Sequence, residues 1–214
     1  MILEYEGEYL NGERNGKGKE YYGKDILIFE GEYLHGKRNG KGKEYYENGN
    51  LKFEGKYLNG KKWDGIGYNI NNNIEYKIND GNGKAKEYDE YHDILIFEGE
   101  YLNGERNGKG KEYNYNNKLV FEGEYLNGER NGKGKECYGN GNLRFEGEYL
   151  NGKINNGKGY DINNNIQIEI KDGKGNIKEY YSNGKLKFEG EYLNGERNGK
   201  GKEYYFNGII EFEG

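Results

Sequence analysis

The sequence has very few of the residue types on which enzyme active sites depend. Its 214 residues include no proline and no threonine, one cysteine, one serine, one tryptophan and two histidines. Ser/His/Asp and Cys/His nucleophilic sites are therefore poorly supplied, and clustered Cys and His residues for a zinc site are missing. From the sequence we expect no enzyme activity, no catalytic or metal-binding residues and no cofactor.

Long apolar runs are also missing. No stretch approaches the length of a signal-peptide core or a membrane-spanning helix, and a single cysteine excludes a disulfide framework. These absences predict a cytoplasmic protein, either free or peripheral to a membrane or cytoskeletal structure.

The balance of charge argues against polyanionic partners. Acidic residues outnumber basic ones by 38 to 33, for a net charge of −5. Nucleic-acid binding favours an excess of positive charge, and anionic lipid surfaces favour polybasic segments. We therefore expect no nucleic-acid partner, and the charge disfavours a membrane lipid.

The sequence does contain a repeat. The segment from Tyr5 to Tyr21 returns almost unchanged from Phe97 to Tyr113. Two longer gaps hold degenerate copies at residues 77–88 and 170–180, which makes nine copies and a tenth begun. Blocks of 92 and 91 residues each contain four copies, and no linker separates them, so residues 1–214 are predicted to form one domain. The copies open at Tyr5, Phe29, Phe53, Phe97, Phe121, Phe145, Phe188 and Phe212.

Each copy has the pattern of a β-hairpin. From Phe29 to Tyr33 a ring or glycine alternates with a carboxylate, as in a strand with one packed face. The sequence predicts a turn over residues 34–40, a second strand over residues 41–46 and another turn over residues 47–50. The alternative, a disordered low-complexity chain, is disfavoured by the low net charge and by 24 tyrosines, whose rings can be buried.

The predicted fold is all-β: an elongated, single-layer, curved meander of antiparallel hairpins. Glycines inside strands weaken a sheet unless packing requires them, so we expect Gly31 and Gly42 to leave room for rings of neighbouring strands. Glu6, Glu8 and Glu20 recur in copy after copy, which indicates solvated ladders paired with lysines such as Lys17 and Lys19.

The unit Tyr-Glu-Gly-Glu-Tyr-Leu-Asn-Gly-Glu-Arg-Asn-Gly-Lys-Gly-Lys-Glu-Tyr resembles the MORN repeat, whose pattern is Tyr-x-Gly-x-(Tyr/Phe)-x-x-Gly-x-x-x-Gly-x-Gly followed by an aromatic. The resemblance fails in the degenerate copies and at Trp63, where one residue is inserted. The connecting segments also resemble a bacterial MORN variant labelled antitoxin. The resemblance implies a curved array of hairpins that serves as a scaffold or dimerising module, with a contested role in binding membrane phosphoinositides.

These observations predict a non-catalytic scaffold or protein-interaction module. The alternatives are an antitoxin-like module that neutralises a partner protein and a peripheral phospholipid-binding module. His35 and His92 are expected to be solvated, and Cys137 replaces a repeat tyrosine. The degenerate copies are interpreted as kinks, contact sites or products of relaxed selection. The predicted interaction surface is Tyr9, Tyr33, Tyr57, Tyr101, Tyr125, Tyr149, Tyr192 and Trp63.

Self-association is predicted from the likeness of the two ends. The segment Ile2-Leu3-Glu4-Tyr5 is nearly repeated by Ile209-Ile210-Glu211-Phe212, and an uncapped strand is a template for pairing. The protein is therefore expected to bind a partner protein or itself, in a closed pair or a head-to-tail row. The residues predicted to carry self-association are Ile2, Leu3, Ile209, Ile210 and Phe212.

Overall fold

The computed structural model describes residues 3–23, 25–89, 93–163, 165–181 and 184–214. The described residues form strands and turns and contain no helix. The chain divides into two compact units, residues 1–106 and 107–214.

The first unit is a meander in which each strand pairs antiparallel with the next one along the chain. Its strands are β1 (Leu3–Leu10), β2 (Glu13–Tyr22), β3 (Ile26–Leu34), β4 (Lys37–Tyr45), β5 (Leu51–Leu58), β6 (Lys61–Tyr68), β7 (Ile74–Asn79), β8 (Asn82–Tyr88) and β9 (Leu95–Leu102).

The second unit continues the same pattern. Strands β10 to β15 pair in sequence, and β16 to β19 form a four-stranded sheet. The predicted all-β meander of hairpins is therefore confirmed. The strands are β10 (Glu105–Tyr113), β11 (Leu119–Leu126), β12 (Glu129–Cys137), β13 (Leu143–Leu150), β14 (Lys153–Tyr160), β15 (Ile166–Ile170), β16 (Gly175–Tyr180), β17 (Leu186–Leu193), β18 (Glu196–Tyr204) and β19 (Ile210–Glu213).

A two-residue turn closes each full-length hairpin. In the first one Asn11 has a φ of 52° and Gly12 a φ of 82°, the pair of left-handed residues that defines a type I′ turn. Asn59-Gly60 and Asn103-Gly104 have similar angles. Asparagine and glycine adopt this conformation at the least steric cost, so these pairs determine where the chain reverses.

The second strand of the hairpin begins earlier than the sequence predicted. Strand β4 starts at Lys37 rather than at residue 41. Arg38 pairs with Tyr33 across the hairpin, and a bulge follows in which Gly40 has a φ of 98°. The Glu32 carboxylate accepts a hydrogen bond of 2.9 Å from the Lys41 amide in this bulge. The second Asn-Gly pair of the copy thus forms a bulge, and the carboxylate of Glu32 on the facing strand accepts a hydrogen bond from the backbone amide in that bulge.

A layer of aromatic rings covers one face of the first unit. Phe29 and Phe53 are fully buried, and Tyr33 and Tyr57 are 4% exposed. The Phe29 ring meets the rings of Tyr33 and Tyr57 edge-on, with centroids 5.6 and 5.3 Å apart. Edge-to-face contacts are favourable because the positive ring edge meets the negative ring face. Ring contacts that run from copy to copy replace a thick two-layer core.

The strand glycines make room for these rings, as predicted. A Cβ atom on Gly42 would lie 2.6 Å from the end of the Phe29 ring and 3.1 Å from the Tyr57 ring. Gly31 pairs with Gly42 in the adjacent strand, and a Cβ on Gly31 would lie 2.7 Å from the Cα of Gly42. Rings from neighbouring strands therefore lie directly on bare backbone.

The degenerate copies are short hairpins that make regular contacts. In the first unit, the Gly81 amide donates to the Trp63 carbonyl at 2.7 Å, and the Gly104 amide donates to the Gly81 carbonyl at 2.8 Å. Lys61 and Glu105, from the hairpins on either side, form an ion pair of 2.6 Å.

The second unit reproduces this arrangement. The Gly173 amide donates to the Asn155 carbonyl at 2.8 Å, and the Gly195 amide donates to the Gly173 carbonyl at 3.1 Å. Lys153 and Glu196 form the matching ion pair of 2.7 Å. Both units therefore contain the same set of contacts around the short hairpin.

Candidate functional site

The two faces of the sheet differ in chemistry because successive side chains of a strand point in opposite directions. Phe29 and Tyr33 belong to the face covered by rings. Glu30 and Glu32 alternate with them and therefore belong to the opposite face, which is called the charged face from here on.

In the first unit the charged face contains an open groove of about 910 Å³. Six strand glycines, one on each of β1 to β6, pair with one another across the strands, and their backbone lines the groove. No aromatic residue is among the described residues that line the groove. The lining residues are Glu6, Gly7, Lys17, Gly18, Lys19, Glu30, Gly31, Glu32, Lys41, Gly42, Lys43, Glu54, Gly55, Lys56, Asp64, Gly65, Lys77 and Asn79.

The charges along the groove alternate from strand to strand. Lys43 lies opposite Glu30 on one side and Glu54 on the other, and its Nζ is 3.2 Å from the Glu54 carboxylate. The alternation breaks at Lys56, which lies directly opposite Lys41. Like charges at opposed positions repel, and Lys56 has the acidic Asp64 opposite it on its other side.

A row of leucines borders the charged face where the first strand of each full-length hairpin ends. Leu34 follows Glu32 by two residues and therefore lies on the same face. Between 37% and 55% of each leucine side chain is exposed. Single exposed leucines are common on protein surfaces, but a row repeated in every full-length copy is a regular apolar feature. Its members are Leu10, Leu34, Leu58 and Leu102 in the first unit, and Leu126, Leu150 and Leu193 are the equivalent leucines of the second unit.

The predicted tyrosine surface needs correction, because most of these rings face inward. Tyr33, Tyr57, Tyr125 and Tyr149 are each 4% exposed. Tyr101 and Tyr192 are half-buried. Tyr9 is 59% exposed. The periodicity of these rings reflects core packing from copy to copy rather than a row open to a partner.

The carboxylate predicted as a solvated ladder member at residue 20 is also buried. Glu20 is 5% exposed and accepts hydrogen bonds from the Tyr33 hydroxyl at 2.8 Å, from Arg14 at 2.8 Å and from Arg38 at 2.5 Å. Glu8 uses its carboxylate to accept from the backbone amide of Lys17 at 3.1 Å. Of these three glutamates, only Glu6 has the predicted arrangement: it is exposed and lies opposite Lys19 on the neighbouring strand.

Arginine and glutamate alternate from one copy to the next beneath the rings. The Arg38 guanidinium lies 4.1 Å from the Phe29 ring centroid and bonds both Glu20 and Glu44. Arg130 in the second unit likewise bonds Glu112 and Glu136. Cation–π contact and bidentate ion pairing both suit a planar guanidinium.

The ionisation of these groups is tied to their contacts. Burial by itself would raise the pKa of Glu44, but the charges of Lys62 and Arg38 outweigh it and lower the pKa to about 2. Burial also opposes ionisation of Glu87, yet hydrogen bonds from Arg106 and Tyr101 hold its pKa below the ordinary range. The network therefore stays charged at neutral pH.

Two buried tyrosine hydroxyls differ from that of Tyr33, which donates a hydrogen bond to a glutamate. Tyr57 and Tyr149 have hydroxyl groups without a hydrogen-bond partner in the described structure. Both oxygens of Glu44, the carboxylate in the position equivalent to Glu20, already bind Arg38 and Lys62. Burial is the largest cause that raises the pKa of Tyr57 well above its ordinary value, and the charge of Glu44 adds to it.

Trp63 is placed against the short hairpin. Its ring lies 2.9 Å from where a Cβ of Gly81 would be, and its side chain is half-buried. Trp63 was predicted to contact a partner, and in the structure it packs against the short hairpin of its own chain. His35 is an exposed turn residue, whereas His92 lies outside the described residues.

The residues predicted for self-association are brought together only in part. Ile209, Ile210 and Phe212 are 62%, 47% and 59% exposed, and Tyr205 and Phe206 beside them are also exposed. They form an apolar surface around the last turn, called the terminal patch from here on. Leu3 begins β1, and Ile2 lies outside the described residues.

Sequence reasoning missed the leucine row and the buried arginine–glutamate chain. The leucine row could have been predicted, because Leu34 follows Glu30 and Glu32 at intervals of two residues and therefore lies on the face of the carboxylates. The burial of Glu20 had no sequence signal, because Glu20 and the exposed Glu6 both recur from copy to copy.

The described part of the chain contains no group of three or more His, Cys, Asp or Glu residues arranged to hold a metal ion. Within the same residues, no helix has the length and hydrophobicity required to cross a membrane.

The repeat matches a known family. The MORN repeat profile matches residues 5–25, 29–51, 97–117, 121–143 and 188–210, just over half of the chain, and a MORN repeat variant matches residues 174–194. No curated protein matches the chain. The unmatched copies that open at Phe53 and Phe145 precede the short hairpins and have a shifted bulge. Sequence pattern, hairpin geometry and profile matches agree, and the chain belongs to the MORN-repeat family.

Proposed function

We propose that this protein is a non-catalytic interaction module that binds a partner protein through its charged face. The observation that carries the proposal is the composition of that face: a ring-free groove of alternating lysines and carboxylates beside a row of half-exposed leucines. Protein interfaces combine apolar anchors with a polar rim in this way.

Other ligand classes fit this face less well. Single-stranded nucleic acids are bound on aromatic platforms within basic grooves, and the groove lining contains no ring and nearly balanced charges. Anionic membranes favour polybasic surfaces. A protein partner can match both signs of charge at once, which neither of these polyanions can do.

The proposal is tested by capture with matched charge variants. Lys41 and Lys56 are exposed and have no ion pair among the described contacts, so the double change Lys41→Glu, Lys56→Glu alters the groove with little effect on folding. The control is Lys118→Glu, Lys174→Glu, which changes the net charge equally at exposed turns of the second unit. Circular dichroism verifies that all three proteins are folded.

We expect wild type and control to retain one stoichiometric partner protein from lysate of the source cells, and the groove variant to lose it. Binding of the purified partner to each protein is then measured by calorimetry. Equal binding by the groove variant contradicts the proposal. Salt-sensitive co-sedimentation of wild type with phosphatidylserine vesicles, lost in the groove variant, would instead assign the face to a membrane.

A further inference from the structure

A second group of tyrosines borders the charged face at the strand ends that lie away from the leucine row. Tyr45 ends β4 and Tyr68 ends β6, and each stands three residues after a strand glycine. The Tyr45 hydroxyl donates a hydrogen bond of 2.6 Å to the Glu30 carboxylate, so this ring belongs to the charged face. Both tyrosines are half-buried and therefore remain partly open to solvent.

These two tyrosines line an open slot of about 440 Å³ beside the groove. Strand β5 lies between β4 and β6, and Leu51 at its start pairs with Tyr45, so an apolar side chain lies between the rings. The connecting turns contribute Asn50 on one side and Asn72 on the other. Lys43 lines the slot where it meets the groove.

Hydrogen bonds between the two connecting turns hold the slot in shape. The hydroxyl of the buried Tyr46 donates to the Tyr68 carbonyl at 2.6 Å. The side-chain amide of Asn50 donates to the Ile70 carbonyl at 2.8 Å. A site that is already formed loses little conformational entropy when a ligand binds. The slot therefore suits a small ligand.

The polar groups of the slot suit an uncharged ligand. Its lysine, Lys43, is paired with Glu54 at 3.2 Å, and no other charged side chain is among the described residues that line it. The Asn50 side-chain oxygen accepts no hydrogen bond within the described part of the chain, and Asn72 is exposed. Amide oxygens accept and amide nitrogens donate, so several hydroxyl groups of one ligand can be bound.

We propose that this slot binds a neutral pyranose sugar. The C–H groups on one side of a pyranose ring are weakly positive and pack against the negative face of a tyrosine ring. The hydroxyl groups at the rim of the sugar both donate and accept, which matches Asn50, Asn72 and Lys43. Apolar walls with a few orienting polar groups are typical of small-molecule sites. The proposal is independent of the protein partner proposed above, because it depends on the rings and turns beside the groove.

The second unit provides an internal comparison in which one ring is missing. Cys137 takes the place of Tyr45 there. The turn contact is kept, since the Tyr138 hydroxyl donates to the Tyr160 carbonyl at 2.7 Å. The equivalent positions are Lys135, Cys137, Asn142, Leu143 and Tyr160. Sugar should therefore bind more weakly in the second unit than in the first.

The test titrates the full chain with cellotriose, maltotriose and triacetylchitotriose, each up to about 10 mM, while NMR follows the backbone amides. We expect at least one sugar to shift the amides of Asn50, Leu51 and Asn72 in a saturable way, with smaller shifts at Asn142 and Leu143. Because the ligand is uncharged, its affinity should change little with added salt.

Two outcomes of this titration would overturn the proposal. One is that none of the three sugars shifts the amides of Asn50, Leu51 and Asn72. The other is that adenosine saturates these amides and no sugar does, which would assign the slot to an aromatic base.

Variants of one ring test the contact with the sugar. Tyr68→Ala should weaken binding about tenfold because it removes one wall of the slot. Tyr68→Phe should bind as the wild type does, since it keeps the ring. The matched control is Tyr160→Ala, which removes the equivalent ring of the second unit and should leave the shifts at Asn50 and Leu51 unchanged. Equal affinities of Tyr68→Ala and Tyr160→Ala in the first unit would contradict the proposal.

A gain of binding provides a test that does not depend on removing a ring. Cys137→Tyr restores the second ring in the second unit, and the Glu122 carboxylate lies opposite as Glu30 does in the first unit. The same sugar should then shift the amides of Asn142 and Leu143 as it shifts those of the first unit. If Cys137→Tyr is folded and these two amides respond no more than in the wild type, the role of the paired rings is wrong.

Discussion

Glu44 shows how a single side chain couples one copy of the repeat to the next. Its carboxylate binds Arg38 of its own copy at 3.0 Å and Lys62 of the next copy at 2.7 Å. Taking these charges out of water is costly, and removing one partner leaves the others uncompensated. Residues such as Glu44 therefore determine how strongly neighbouring copies depend on each other.

Glu44→Gln should remove an acid-sensitive part of the stability of the first unit. The carboxyl titrates near 4.5 in its ordinary state and at about 2 in the fold. Its ionised form therefore stabilises the fold above about pH 4.5, and this contribution is lost as the pH falls from there towards 2. Urea unfolding and hydrogen exchange at β4 and β6 should show wild type more stable than the variant by up to about 3 kcal/mol at neutral pH.

The difference between wild type and Glu44→Gln should vanish as the pH approaches 2, because a protonated Glu44 resembles glutamine. The control is Glu54→Gln, which removes the surface pair with Lys43. Its effect should stay below about 1 kcal/mol, since exposed ion pairs contribute little. A constant offset between wild type and Glu44→Gln across the whole pH range would contradict the assignment.

The hairpin is the element in which glycine serves two separate purposes. At the turn, Gly36 has a φ of 75° and its would-be Cβ meets nothing within 4 Å, so the backbone conformation requires glycine there. Inside the strand, Gly42 is required by the Phe29 and Tyr57 rings that lie on it. The same residue type therefore responds to substitution for different physical reasons at the two positions.

Gly42→Ala should destabilise the first unit by overpacking. The added methyl group would lie 2.6 Å from the Phe29 ring, and such insertions into a packed core cost about 1–3 kcal/mol. Thermal and urea denaturation measure the change. Gly139→Ala is the control, because its Cβ would meet only the Asn114 side chain at 3.8 Å.

The control variant should be neutral or slightly more stable, by up to about 1 kcal/mol, since alanine restricts the unfolded chain. If Gly42→Ala and Gly139→Ala have equal stability, the strand glycines do not serve the rings.

Each unit is a series of copies, each of which contacts its neighbours in sequence. Such arrays derive stability from nearest-neighbour interfaces, here the rings, the buried ion pairs and the hydrogen bonds between turns. The terminal patch is the main concentration of exposed apolar side chains in the second unit, with Ile209 at 62% and Phe212 at 59%. Exposed clusters of this kind commonly mark contacts with other molecules.

Self-association of the 214-residue chain should therefore depend on the terminal patch. Light scattering over a concentration series should show a rise in mass that Ile209→Lys, Ile210→Lys abolishes, because charged groups oppose burial of the patch. The control is Ile74→Lys, Ile166→Lys, which changes two isoleucines of similar exposure elsewhere. A constant monomer mass at every concentration, or equal effects of both double variants, would contradict the prediction.

Much of this architecture could be predicted from sequence because it depends on local rules. Alternation from Phe29 to Tyr33 predicted a strand with one packed face, and the Asn-Gly pairs predicted its reversal. The sequence did not predict that β4 starts at Lys37. The pair Asn39-Gly40 is compatible with a longer turn and with a bulge inside a strand, and the sequence alone does not distinguish the two. The inward placement of Tyr33 was missed because periodicity shows that rings share a face, but not what covers that face.

The sequence by itself determined the repeat, the strand periods and the positions of the turns, since each depends on residues close together in the chain. Only the tertiary structure decided which carboxylates are buried. Glu20 reaches Tyr33 and Arg38 in the next copy, while Glu6 remains in water, although both recur in the repeat. Burial and ion pairing depend on neighbours from other copies, and only the folded stack of hairpins brings those neighbours together.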